Sequence, residues 1–163
     1  MRFTILIPFF LLITYSSVSQ SKSDTEEWIL EKYYEYKYSE MPFNRLLFEN
    51  DFLISTWMIE KDFGVVSKLK LKDITQIEVK LNSFPDKKKP MVYLNISCNE
   101  GKLLTKSIRP EGNTEWEISE AKGTMTNLSY DFIENKMSER FLKAFIHLVK
   151  LNGGIATVKK EPF

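Results

Sequence analysis

The chain has 163 residues, with 23 basic and 22 acidic side chains, a net charge of +1 and a single cysteine. Near-neutral charge argues against a general nucleic-acid binder, which would carry a basic excess. One thiol rules out an internal disulfide framework, and a chain of this length suits one domain with a real hydrophobic core.

Residues 1–19 read as a cleaved secretory leader. Arg2 is the positive region, Phe3–Ile13 the apolar run, and Ser17-Val18-Ser19 puts small side chains where signal peptidase needs them, so the cut falls before Gln20. An apolar run of about 11 residues falls short of the roughly 20 that span a bilayer, which weighs against an uncleaved anchor. No cysteine stands at the cut, so a lipoprotein is not expected. The expected product is periplasmic or secreted, with no transmembrane segment in the mature chain. The richness in Lys, Ile, Asn, Phe and Tyr fits a low-GC bacterial genome. Asn95-Ile96-Ser97 and Asn127-Leu128-Ser129 match glycosylation sequons, which matter only in a eukaryotic host.

Residues 20–42 are expected to form an N-terminal helix and linker. Ser23-Asp24-Thr25-Glu26 matches a capping box, and the helix should run from Asp24 to Tyr36, its first turn acidic where the helix dipole favours negative charge. Ile29, Tyr33 and Tyr36 fall at helical spacing and form one sticky stripe flanked by Trp28 and Leu30, and Pro42 blocks any continuation. From Phe43 the rhythm turns to strands: Leu47–Glu49, Phe52–Ile59, Val66–Leu71, Ile74–Leu81, Val92–Cys98, Leu103–Ile108, Trp116–Ile118 and Leu128–Phe132. Asn50-Asp51 breaks the first two, and Ser83–Pro90 is a loop bounded by prolines. Period-two alternation puts Cys98 on the buried face with Val92, Leu94 and Ile96. Regularly spaced short strands of this kind imply a sandwich or barrel.

Lys136 to Leu151 is the last expected element, a helix stopped by Asn152-Gly153-Gly154. Met137, Phe141, Ala144, Phe145, Leu148 and Leu151 make one apolar stripe; Leu142, Ile146 and Val149 make a second. The second stripe needs a cover, and the N-terminal aromatic stripe is the nearest, so the two helices are expected to pack together. Residues 155–163 are expected to be a tail.

About seven antiparallel strands followed by one amphipathic helix resemble the pleckstrin-homology-like (PH-like) fold, a bent barrel capped by a C-terminal α-helix, here preceded by an additional helix. The likeness spans residues 43–154, with Lys72-Asp73-Ile74 similar to the short link between third and fourth strands of that fold. The run Ser138–Leu148 and the early Thr25-Glu26-Glu27-Trp28-Ile29 are similar to small exported bacterial proteins of unknown function. Phosphoinositide-binding members of the fold use basic residues between their first two strands. Lys87-Lys88-Lys89 follow the fourth strand here, so no binding residue carries over, and fold alone does not carry function.

Chemistry-bearing patterns are sparse. His147 is the only histidine, set at the edge of an apolar stripe, and no Cys/His ligand cluster or acidic calcium loop occurs, so neither metal nor cofactor is expected. Glu115/Glu117 and Glu60/Asp62 read as solvated strand charges rather than an acid–base pair. The remaining signals are the tyrosine-rich Tyr33–Tyr38, with Tyr34 and Tyr38 as candidate partner contacts, and the basic triplet Lys87, Lys88 and Lys89. These point to a non-catalytic interaction module whose partner is another exported or envelope protein. The alternative is a small-ligand barrel with a cavity lined by Trp57, Trp116 and phenylalanines; an enzyme of unfamiliar chemistry ranks third.

Overall fold

The computed structural model describes residues 21–83 and 90–159. The leader reading and the Lys87–Lys89 triplet lie outside the described residues.

Helix α1 runs over Lys22–Tyr36. Its capping box sits two residues earlier than the sequence pattern suggests: the Ser21 hydroxyl accepts from the Asp24 amide at 3.1 Å, and the Asp24 carboxylate accepts from the Ser21 amide at 3.2 Å. Starting there places Thr25 inside the helix, where it joins Ile29, Tyr33 and Tyr36 on the buried face.

The strands are β1 (Arg45–Glu49), β2 (Phe52–Glu60), β3 (Phe63–Lys70), β4 (Ile74–Asn82), β5 (Met91–Cys98), β6 (Leu103–Ile108), β7 (Glu117–Ile118) and β8 (Gly123–Leu128). Asn50 and Asp51 close the β1–β2 hairpin with φ of 48° and 65°, the left-handed pair that a type I′ turn requires and that Asn and Asp tolerate. A 3-10 turn, Leu71–Asp73, carries the chain from one sheet to the next, as the link between third and fourth strands was expected to do. Two elements depart from the expectations. The segment Leu128–Phe132 is not a strand: β8 ends at Leu128, and Asp131–Glu134 forms the short helix α2, which turns Phe132 into the core. The expected tail also contains a strand, β9 (Thr157–Lys159), parallel to β4.

One sheet is five-stranded and antiparallel, in the order β1-β2-β3-β6-β7; the other is four-stranded, in the order β8-β5-β4-β9. Among the described residues no ladder joins them, so the expected barrel is instead two sheets sharing one core. The chain changes sheet after β3, after β5 and after β7, and each sheet keeps two edges. Leu46, Leu53, Leu69 and Leu103 from the first sheet and Ile77, Val79, Val92, Leu94, Ile96 and Leu128 from the second point into it, and Cys98 is buried beside them.

Helix α3, Met137–Leu151, lies against α1, the 3-10 turn, β4 and β9. The helices do pack together, and the ring contact that joins them uses the first stripe: Trp28 meets Phe141 with centroids 6.4 Å apart. Phe132 and Phe145 flank Phe141 at 5.3 and 5.4 Å, Tyr36 reaches Phe132 at 5.7 Å, and Phe48 of β1 reaches Phe145 at 5.9 Å. Leu151, assigned to the same stripe, is exposed because the helix outruns the core there.

The helix ends in a Schellman motif: the Gly153 amide donates to the Lys150 carbonyl at 2.9 Å and the Gly154 amide to the Val149 carbonyl at 3.0 Å. Gly153 supplies the left-handed φ of 78°. Gly154 is needed for a different reason, since a Cβ there would stand 2.7 Å from the Lys72 backbone and the Val149 side chain. Gly154→Ala is therefore expected to cost about 1–3 kcal/mol by overpacking, read as a lower urea midpoint.

Candidate interaction surface

The four tyrosines of α1 and its exit divide between core and surface. Tyr33 is fully buried, its hydroxyl 2.9 Å from Thr126 Oγ1 of β8, and burial pushes its pKa up to about 12. Tyr36 packs on Phe132. Tyr34 is 48 % exposed, but its hydroxyl donates to the Leu46 carbonyl at 3.0 Å and its ring meets that of Tyr33 edge-on, so it is a strut onto β1 as much as a surface residue. Tyr38 is half-buried, and its amide donates to the Asn127 carbonyl at 3.4 Å. Tyr34 and Tyr38 thus do not form one open patch. Tyr34→Phe is expected to lose about 1 kcal/mol of stability through the missing hydrogen bond, measured by urea denaturation.

Asn127 is fully buried against Met41, which closes the second sequon to a glycan in the folded chain; Asn95 lies half-buried within β5. Trp116 does not line an interior cavity. It is 39 % exposed on the outer side of the five-stranded sheet. His147 shares a groove with Trp28, Arg140, Lys143 and Ala144. Among the described residues no three metal-ligating side chains cluster, and no helix is long and apolar enough to cross a membrane.

The more distinctive surface is that outer sheet face. Cross-strand partners share a face, and the register places Phe52 opposite Lys70, Ile54 opposite Lys68, Lys68 opposite Leu104, and Leu104 opposite Ile118. The alternate residues Leu53, Leu69 and Leu103 point to the core, so this set points outward. Lys68 Nζ lies 4.5 Å from the Phe52 ring centroid and 5.8 Å from that of Trp116; Lys70 stands 5.6 Å from Phe52 and Lys106 5.0 Å from Trp116. The result is a row: Lys70, Phe52, Lys68, Trp116, Lys106. Beside it Ile118 is 69 % exposed. Among the described residues none of the three lysines forms an ion pair with a carboxylate. Their ammonium groups are oriented by rings, at roughly 0.5–1 kcal/mol per contact at an exposed site.

Comparison with protein-family models, curated proteins and solved structures returns no match. The surface must be read from its own chemistry.

Sequence reasoning missed this face. Phe52-Leu53-Ile54 and Leu103-Leu104 place apolar residues on both parities of β2 and β6, a signal that both sides of the sheet are apolar. Bringing Trp116 to Lys68 and Lys106 depends on the β3–β6 pairing, which no local pattern encodes.

On the four-stranded sheet the lysines are instead paired with a carboxylate: Glu78 is 7 % exposed, with Lys80 at 3.1 Å and Lys159 of β9 at 3.4 Å. Burial pushes the Glu78 carboxyl up, but the two ammonium groups outweigh it and hold it below its ordinary value. A carboxyl lowered in the folded state adds stability above its unfolded pKa and loses that contribution as pH falls through the folded value. Lys159→Gln is expected to raise the Glu78 pKa in a carboxyl-carbon NMR titration and to move the acid loss of stability to higher pH.

Proposed function

We propose that the protein is an exported, non-catalytic interaction module that docks an acidic segment of another exported or envelope protein on the outer face of its five-stranded sheet. The observation carrying this reading is the row of three lysines beside Phe52 and Trp116, without carboxylate partners among the described residues and next to exposed Ile118. Exposed apolar area gives such a face its affinity, and unpaired lysines give it a preference for negative charge. Aromatic side chains add contact area at low entropy cost.

Export rests on Arg2, the apolar run and Ser17-Val18-Ser19. The PH-like reading rests on the antiparallel strand order and the long helix that follows the strands. A small-ligand function has less behind it, since Trp116 lies on the outer side of the sheet.

Mass spectrometry of the exported form is expected to find an N-terminus at Gln20. Capture from a periplasmic extract should yield an acidic partner whose retention falls as salt rises. Ile118→Glu and the pair Lys68→Glu/Lys106→Glu should abolish retention, with Tyr34→Ala leaving it intact. Loss with Tyr34→Ala alone would move the docking surface to α1 and overturn the sheet reading.

A further inference from the structure

Strand β2 outruns its neighbour β1. Arg45, the first residue of β1, stands opposite Thr56, so β2 continues from Trp57 to Glu60 with no β1 residue beside it. The linker from α1 fills the gap: the Met41 amide donates to the Tyr38 carbonyl at 3.1 Å and the Asn44 amide to the Met41 carbonyl at 3.2 Å, which folds residues 40–43 alongside. Buried Asn44 ties linker to strand, its Oδ1 accepting from the Met58 amide at 2.8 Å. The Lys37 ammonium braces the linker by donating to the Pro42 carbonyl at 2.7 Å and the Asn44 carbonyl at 3.2 Å. Between residues 40–43 and 57–60 runs an open groove of about 400 Å³. Its walls are fixed before anything enters, which lowers the entropy cost of binding.

Phe43, Trp57, Met58 and Ile59 make the groove apolar, and its two ionisable lining residues, Glu40 and Glu60, are both acids. Glu40 has an interaction of its own. Among the described residues Glu60 forms no ion pair, and the Trp57 ring carries neither a cation nor a second ring. Lys61 and Asp62 at the hairpin tip offset each other in charge. The apolar area continues past the groove. Val65 stands opposite Trp57 and Phe63 opposite Glu60, and both are open to water, as are Phe43 and Ile59, the last 65 % exposed. A patch of this extent is more than a small ligand seated in the groove would cover, and suits a protein segment.

We infer that this groove docks a segment of a partner protein in which a basic side chain is flanked by apolar residues. The apolar neighbours cover Phe43, Ile59 and Phe63. The basic side chain lays its methylene stem along Trp57 and brings its charge to Glu60. This preference is the reverse of that on the sheet face. Phe52, in the lysine row, and Trp57 stand roughly 17 Å apart along β2, so one strand presents a basic surface at its start and an acid-lined groove at its end.

An end-capped hexapeptide of alternating arginine and leucine, titrated into the isotope-labelled protein, tests this. It is expected to shift the Trp57 indole N–H and the backbone amides of Phe43 and residues 57–60 saturably. The same peptide with glutamate in place of arginine should leave those signals in place. Glu60→Lys and Ile59→Ser, both at exposed positions and checked for folding by circular dichroism, should each weaken binding by about fivefold or more. Lys68→Gln/Lys106→Gln should leave it unchanged, which separates the groove from the sheet face. Absence of the shifts, equal shifts from the glutamate peptide, or wild-type affinity in either groove variant overturns the proposal. Equal shifts from N-acetylarginine amide alone overturn it in favour of a small cation. Dimers in sedimentation that Lys68→Gln/Lys106→Gln and Glu60→Lys each abolish overturn it in favour of a second copy of this chain.

Discussion

Phe141 is the contact on which the rest of the architecture depends. Its ring touches Trp28 of α1, Phe132 of α2 and Phe145 of its own helix, and through Phe145 it reaches Phe48 of β1. Edge-to-face and tilted ring pairs of this kind add about 0.5–1.5 kcal/mol each beyond simple burial. The chain of rings does more than stabilise. It fixes how α1 and α3 sit against each other, and so fixes the groove that Trp28 shares with Arg140 and His147. The hydroxyl of Tyr33 on Thr126 and the bridge from Lys37 to Leu128 then tie α1 to the second sheet, so the N-terminal helix belongs to the core.

The same packing explains why the five-stranded sheet has an outer face left over. Helix α3 packs on α1, β4, β9 and the 3-10 turn, and α1 packs on α3 and β1; among the described residues neither helix packs substantially on β2, β3 or β6. That outside is nonetheless rich in Phe52, Ile54, Leu104, Trp116 and Ile118. A sheet face exposed to water ordinarily alternates to polar residues. Here lysine stems and ammonium groups lie over the rings instead, which shields part of the apolar area while keeping positive charge at the surface.

Much of the scaffold was legible locally. Helical spacing of Ile29, Tyr33 and Tyr36 and of Met137, Phe141, Phe145 and Leu148 identified the buried faces of both long helices, and alternation identified the core side of β4 and β5, including Cys98. Errors cluster where two local signals competed. Ser21 and Ser23 both precede an acidic residue at capping distance, and the buried Thr25 decided between them. The apolar Leu128–Phe132 stretch read as strand, yet its second half turns helical because Phe132 completes the ring chain of Phe141.

By itself the sequence determined where both long helices and most strands form, which faces they bury and how α3 stops, because period, capping and glycine conformation act within a few residues. The tertiary structure alone decided which strands pair, that the two sheets stay unclosed, and that β9 lies parallel beside β4 with Lys159 on Glu78. It also decided the candidate surfaces. Trp116 meets Lys68 and Lys106, and Trp28 meets Arg140, only because non-local pairing and helix packing bring distant segments together. Such contacts depend on register and crossing geometry, and neither leaves a periodic trace in the chain.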